Sequence, residues 1–287
     1  MSPEDYKRVV VLAGSLLVLI VFTGAAVRLT ESGLGCEDWP TCSDAELVPE
    51  ASFHPWVEFG NRLLSGVVAL GTIAAVLMAY RRLPRRPDLI RWAWYLVGGV
   101  AAQVVLGAIT VKLHLHPLIV SLHFLLSIVL LWQVVVLWFK ASGGPGKPKL
   151  RISPRLAKHS LATTLFAAIL LVTGTVVTGT GPNSGDFRAD RFNLDLSTAA
   201  RIHSLTAWAF LALLVALAIR LQRTGESTRP IQPAIAVAVA QGGIGYIQYA
   251  VGVPPGLVML HIIGATVLWL VVLIMHLRFY ERPPEHV

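Results

Sequence analysis

Eight stretches of about 20 residues with few or no charges leave this chain little freedom in what it can fold into. They cover residues 9–27, 60–80, 92–111, 118–139, 161–180, 201–219, 231–252 and 256–276. A helix of that length spans the hydrocarbon of a bilayer, about 30 Å. Lipid offers no partner to an open N–H or C=O, so each run must close its own hydrogen bonds as an α-helix. Composition excludes a soluble domain: only 14% of the 287 residues are charged, against about 25% in soluble proteins. The net charge of +8 does not point to nucleic acid, because the basic residues sit in short loops between apolar runs rather than along one face. The first run, 19 residues long, exceeds a signal-peptide core and reads as a span that is kept.

Orientation follows from Lys and Arg, which gather on the cytoplasmic side. With the N-terminus inside, the outer ends hold Arg28, Arg62, Lys112, Arg188, Arg191 and Arg201, and the other 18 of 24 basic residues are inside. Both termini are therefore expected in the cytoplasm, with the chain a multi-pass protein of the cell membrane.

An internal repeat organises the spans. Residues 103–123, QVVLGAITVKLHLHPLIVSLH, return without a gap as residues 241–261, QGGIGYIQYAVGVPPGLVMLH. Seven positions are identical, among them Gln103/Gln241, Gly107/Gly245, Pro117/Pro255 and His123/His261. LVTGTVVTGTG in span five echoes VFTGAAVRLTESG in span one, and His203 stands in span six where Asn61 stands in span two. Each half has four spans, so both enter from the same side and the repeat is parallel. The expected fold is all-α and integral to the membrane: eight transmembrane helices as two four-helix bundles. Residues 1–140 form the first bundle and 158–287 the second. The 141–157 segment, rich in Gly, Pro and Lys, reads as a flexible cytoplasmic linker.

The candidate chemistry lies near the outer surface. His123 and His261 fall about five residues into their spans, roughly 7–9 Å deep, and His203 is at a similar level. His203 and His261 face each other across the second bundle in this reading. Two neutral imidazoles so opposed suit the axial positions of a haem iron. Zinc fits less well, for want of further ligands. Gly66, Gly107, Gly245 and Gly264 give room for a flat macrocycle, and Arg28, Arg62 and Arg201 are candidate cations for its anionic propionates. His54, His159, His276 and His286 read as solvated. His114 and His116 flank a tight outer loop. Glu58, Asn61 and Arg62 share one helix face, and a charge at this depth needs a partner or a task. The only cysteines, Cys36 and Cys42, lie in an acidic outer loop with Glu31, Glu37, Asp38, Asp44, Glu46 and Glu50. A disulfide is expected on that oxidising side, either as a staple or as a redox pair.

GAAVRLTESGLGCEDWPTC, EFGNRLLSG and QVVLGAITVKLHLHPLIVSLH resemble the haem A synthase family of membrane enzymes, and the resemblance covers both halves apart from linker and tails. It implies oxidation of one methyl of haem O to a formyl, by two hydroxylations and loss of water, giving haem A for terminal oxidases. It further implies a resident haem b on His203 and His261, a substrate haem with His123 on its iron, an essential Glu58 and an outer-loop pair Cys36–Cys42. Haem O synthase, terminal oxidase assembly factors and an electron donor are the implied partners. There is one departure: the family pattern has His-Arg where this chain has Asn61-Arg62, and Ser204 stands where a second-half Arg would match Arg62. Asn is a poor haem ligand, so the first site has one strong ligand. Two other classes remain open here, a di-haem electron carrier and a haem transporter or chaperone. Neither needs a carboxylate beside the macrocycle.

Overall fold

A computed structural model describes residues 1–36, 38–43, 48–49 and 51–284 of the protein. Glu37, Asp44, Glu46 and Glu50 of the acidic loop, and His286, lie outside the described residues. Among the described residues the chain forms eight long helices: α1 (Pro3–Leu29), α2 (Phe53–Arg81), α3 (Pro87–Lys112), α4 (Pro117–Ala141), α5 (Pro154–Thr180), α6 (Leu196–Arg223), α7 (Gln232–Ala250) and α8 (Pro255–Leu277). Two short strands, β1 (Lys149–Leu150) and β2 (Tyr280–Glu281), complete it.

Local chemistry sets the helix starts. α1, α3, α4, α5 and α8 each begin on a proline, whose fixed φ suits the first turn and whose missing N–H would have no partner there. Ser2 caps α1 by accepting from the Asp5 amide at 3.1 Å. Asp195 caps α6 by accepting from the Thr198 amide at 2.8 Å. Hydrogen bonds from Ser197 and Thr198 hold the Asp195 carboxyl down to about 2.

Seven of the eight helices are long and apolar enough to cross a membrane. α7 is the exception: 19 residues, about 29 Å, free of charge but diluted by Gln, Gly and Tyr. The apolar surface of the others faces outward. Leu63, Leu70 and Leu77, one heptad apart on α2, are 56%, 67% and 53% exposed. In water such a stripe would drive aggregation, whereas in a bilayer it is the lipid face.

The chain divides into two compact units, Met1–Ala141 with Thr178–Leu194, and Ser142–Val177 with Asp195–Val287. The outer loop after α5 thus packs with the first unit, not with the half that precedes and follows it in sequence. There the Gly33 amide donates to the Gly185 carbonyl at 2.9 Å. In the first unit α1 and α3 each pack on both α2 and α4. Gly71, Ala75 and Ala79 form a small-residue stripe on α2. A side chain at Gly71 would collide with Leu16 of α1, so the stripe lets the two backbones approach. In the second unit α7 packs on α6 and α8. α5 reaches α6 through Thr173 and α8 through Ser160, whose hydroxyl meets His276 Nδ1 at 3.0 Å.

The internal repeat extends to backbone detail. Between α3 and α4, His114 and Leu115 have φ of 48° and 59°; between α7 and α8, Gly252 and Val253 have 84° and 59°. Leu115 N donates to Thr110 O at 2.9 Å, and Val253 N to Gln248 O at 2.8 Å. The same left-handed turn therefore reverses the chain in both halves.

The linker expected to be flexible is pinned instead. Lys149 and Leu150 pair antiparallel with Glu281 and Tyr280, Gly144 N donates to Pro283 O at 2.7 Å, and Arg282 donates to the Gly144 and Gly146 carbonyls. Side chains at Gly143 and Gly144 would run into Arg282 and Pro284. These glycines serve close backbone approach here, not freedom.

Candidate functional site

Half-buried imidazoles stand in both units, His123 in the first and His203 with His261 in the second. In the second unit, His203 on α6 and His261 on α8 have ring centroids 6.3 Å apart and planes at 77°. A metal-bound imidazole nitrogen sits about 2 Å from its metal, so two rings flanking one ion have centroids about 6 Å apart. The observed spacing meets that requirement.

The tautomer of His203 is set by its neighbour. Thr173 Oγ1 donates to Leu170 O at 2.9 Å, so toward His203 Nδ1, at 3.0 Å, it acts as acceptor. Nδ1 then carries the proton and Nε2 keeps the lone pair a metal needs. Close approach is made possible by glycine. A Cβ on Gly174 would lie 3.2 Å from His203 Cε1, one on Gly245 3.3 Å from His261 Cε1, and one on Gly107 3.4 Å from His123 Cε1. Nδ1 of His123 and of His261 is buried without a hydrogen-bond partner. A packed core avoids such orphans, and their presence fits sites that take a ligand. Among the described residues no three His, Cys, Asp or Glu side chains converge, so a metal here would meet the two imidazoles and no further protein ligand of those kinds.

The first unit repeats the frame with one change. Thr23 Oγ1 donates to Asn61 Oδ1 at 2.8 Å, the counterpart of Thr173 and His203. Gly24, the counterpart of Gly174, has nothing within 4 Å of a would-be Cβ. Gln103 Nε2 donates to the His123 carbonyl at 3.0 Å and to Ser127 Oγ at 2.5 Å, fixing the turn of α4 that carries the imidazole. Thr173 and Gly174 escaped the sequence reading as site residues. Their signal was there, in the TG dipeptide shared by spans one and five.

Glu58 is 6% exposed. Its Oε2 accepts from the Cys36 amide at 2.8 Å, and the Gly35 amide also bonds to it. Oε1 takes Arg62 Nη2 at 2.5 Å. Arg62 Nη1 in turn donates to the carbonyls of Asp38 and Thr41, at 2.8 and 2.9 Å. Cys36 and Cys42 are disulfide-bonded, so both carbonyls lie inside the ring that the disulfide closes. Glu58 and Arg62 thus form a buried clamp on the disulfide loop, not an ordinary surface pair.

The remaining candidates scatter. Arg62 is committed to that clamp. Arg28 donates to the Thr178 carbonyl at 3.2 Å. Arg201 is exposed. Gly66 borders open space, whereas the room at Gly264 is taken by the Gln241 side chain and not left for a macrocycle. His114 and His116 are exposed. His54 meets Ser32 Oγ at 3.0 Å, and Arg220 donates to His159 Nδ1 at 3.1 Å. His276, expected to be solvated, is half-buried against Ser160. Outside the helices, the hydrogen bond from Arg188 holds the Asp186 carboxyl below its usual range.

Fold and site together define a class, the multi-pass helical membrane protein with paired imidazole positions near one end of its helices. Within that class the sequence profile of the COX15-CtaA family, described as cytochrome oxidase assembly protein, matches residues 7–273. The chain belongs to this family. Among its relatives is a protein named heme A synthase from Lysinibacillus sphaericus (strain C3-41), 28% identical over 167 residues, which are 56% of this chain and 54% of that protein. The protein of the same name from Geobacillus kaustophilus (strain HTA426) is 37% identical over 106 residues, 37% of this chain and 33% of that one. A third, from Shouchella clausii (strain KSM-K16), is 29% identical over 58% of this chain and 55% of its own length. The matched region thus spans between a third and just over half of these relatives.

Proposed function

We propose that the protein is a haem A synthase, oxidising a methyl of haem O to the formyl of haem A for terminal oxidases. The observation that carries this reading is the His203–His261 pair, 6.3 Å apart, in a chain of this family. In this reading His203 and His261 hold a resident haem b, which when bound supplies one-electron transfer. Thr173 keeps His203 in the ligating tautomer, and Gly174 and Gly245 clear space beside the rings. Haem O, the substrate, would be held through its iron by His123, and Asn61 would offer that iron no strong ligand. Arg28, Arg62 and Arg201 remain the candidate cations for propionates, with Arg62 acting through a guanidinium already fixed by Glu58.

Glu58 lies one turn from Asn61. Arg62 and the amides of Gly35 and Cys36 hold it rigid. A carboxylate fixed in this way suits a role as proton acceptor, or as stabiliser of positive charge at the reacting methyl carbon. Electron donor, haem O synthase and oxidase assembly factors are partners of this activity.

The architecture that goes with it is two four-helix bundles in parallel repeat. Residues 1–140 form the substrate bundle, 158–287 the resident-haem bundle, and 141–157 the join, with both termini cytoplasmic. The matching turns between α3 and α4 and between α7 and α8 support the repeat, and with it α7 as the eighth span. The test is haem extraction and chromatography from cells co-expressing a haem O source. Wild type should accumulate haem A. Glu58→Gln should keep its resident haem while haem O or a hydroxylated haem builds up. Full haem A formation by Glu58→Gln would remove the catalytic role and leave Glu58 as the loop clamp alone.

A further inference from the structure

We propose that the recess between the end of α2 and the start of α3 binds the headgroup of an anionic glycerophospholipid. It lies at the end of the first unit opposite Glu58 and the disulfide, and it takes no part in the chemistry above. The recess measures about 590 Å³ and is lined chiefly by Tyr80, Arg85, Arg91, Trp94 and Tyr95. The Arg85 guanidinium stands over the Tyr80 ring at 5.4 Å. Trp94 Nε1 donates to the Tyr80 hydroxyl at 3.3 Å, which leaves the hydroxyl its own proton to give to an acceptor.

The charge here is uncompensated. Asp88, the nearest carboxylate in sequence, is held by Arg86 at 2.8 Å. Among the described residues neither Arg85 nor Arg91 forms an ion pair. Two free guanidiniums and a tyrosine hydroxyl are donors suited to phosphate oxygens.

The aromatic lining distinguishes a lipid from a soluble anion. Tyr80, Trp94 and Tyr95 are 45%, 52% and 51% exposed, at the level where helices leave the hydrocarbon and where Trp and Tyr prefer to sit. Free phosphate would engage the arginines and leave the rings bare, whereas a glycerophospholipid covers both. A second recess, about 670 Å³ and lined by Ser153, Arg155, Arg220 and Arg223, has the cations but no aromatic ring. It holds three arginines to the first recess's two, and it serves as the comparison site.

The experiment uses the full-length protein in nanodiscs of phosphatidylcholine, titrated with phosphatidylglycerol and read by native mass spectrometry. Wild type should retain about one phosphatidylglycerol per chain, and Arg85→Gln with Arg91→Gln should weaken retention about a hundredfold, each lost charge-assisted hydrogen bond to the headgroup being worth about tenfold. Arg155→Gln with Arg223→Gln removes the same charge and should keep wild-type retention. Trp94→Ala should loosen phosphatidylglycerol with both arginines in place. Equal losses in the two arginine pairs would reduce the effect to bulk electrostatics and overturn the proposal. So would undiminished retention by the Arg85/Arg91 variant, or displacement of the lipid by inorganic phosphate.

Discussion

At the residue scale, His203 and Asn61 occupy the same register in the two halves, and each is tied to a threonine one helix away. The frame is shared and the imidazole is not. Thr173→Val removes the acceptor that holds the proton on His203 Nδ1. Outer partners of metal-bound histidines typically affect metal affinity by about 10–100-fold, so haem affinity of the second unit should fall by about tenfold or more. Titration of the haem-depleted protein, followed by its low-spin absorbance, measures this; Thr173→Ser should restore it. In the first unit, Asn61→His should turn bound haem O from a form with one strong ligand into a six-coordinate low-spin form, visible by electron paramagnetic resonance. An unchanged spectrum would take Asn61 away from the iron. His123 and His261 were legible in the sequence because an imidazole recurring within apolar runs stands out, and His203 because it falls at their depth. Thr173 and Gly174 were not, because small residues are common in membrane helices and only the packing shows what they touch.

At the scale of elements, the two helical hairpins share a turn that the repeat suggests but does not specify. Gly252 takes its positive φ freely, whereas His114 at φ 48° does so against the left-handed penalty of about 1–2 kcal/mol for a side-chain-bearing residue. Part of any relief is lost to the extra freedom that glycine has in the unfolded chain. His114→Gly should therefore raise stability by up to about 1 kcal/mol, and Gly252→Ala should lower it by about 1 kcal/mol. Thermal midpoints in one detergent check both. The disulfide loop is a second such element. Its sequence showed two cysteines and several acids, while its attachment through Glu58 and Arg62 depends on where α2 begins relative to the loop.

At the scale of the molecule, the proposed parallel repeat requires α7 to cross the membrane although, of the eight helices, it alone falls short of the length and apolarity of a span. Substituted-cysteine labelling tests this directly, since the described residues include no free cysteine to interfere. Ser227→Cys should label from the cytoplasm, and Phe187→Cys and Val251→Cys from outside. Labelling of Ser227→Cys and Val251→Cys from the same side would mean that α7 does not cross, and the even count of spans would fail.

The helices, and the apolar length that lets seven of them cross a membrane, follow from the sequence because they rest on local physics. Apolar runs of fixed length must be helical in lipid, and a rise of about 1.5 Å per residue sets their length. Tertiary structure alone decided which distant side chains meet. Thr173 faces His203, Glu58 turns to the loop amides, Gln241 fills the space at Gly264, and the linker is stitched to the chain's last strand. Each depends on the rotation and tilt of whole helices about their axes. Packing between elements far apart in the chain sets those angles, and no local pattern of residues encodes them.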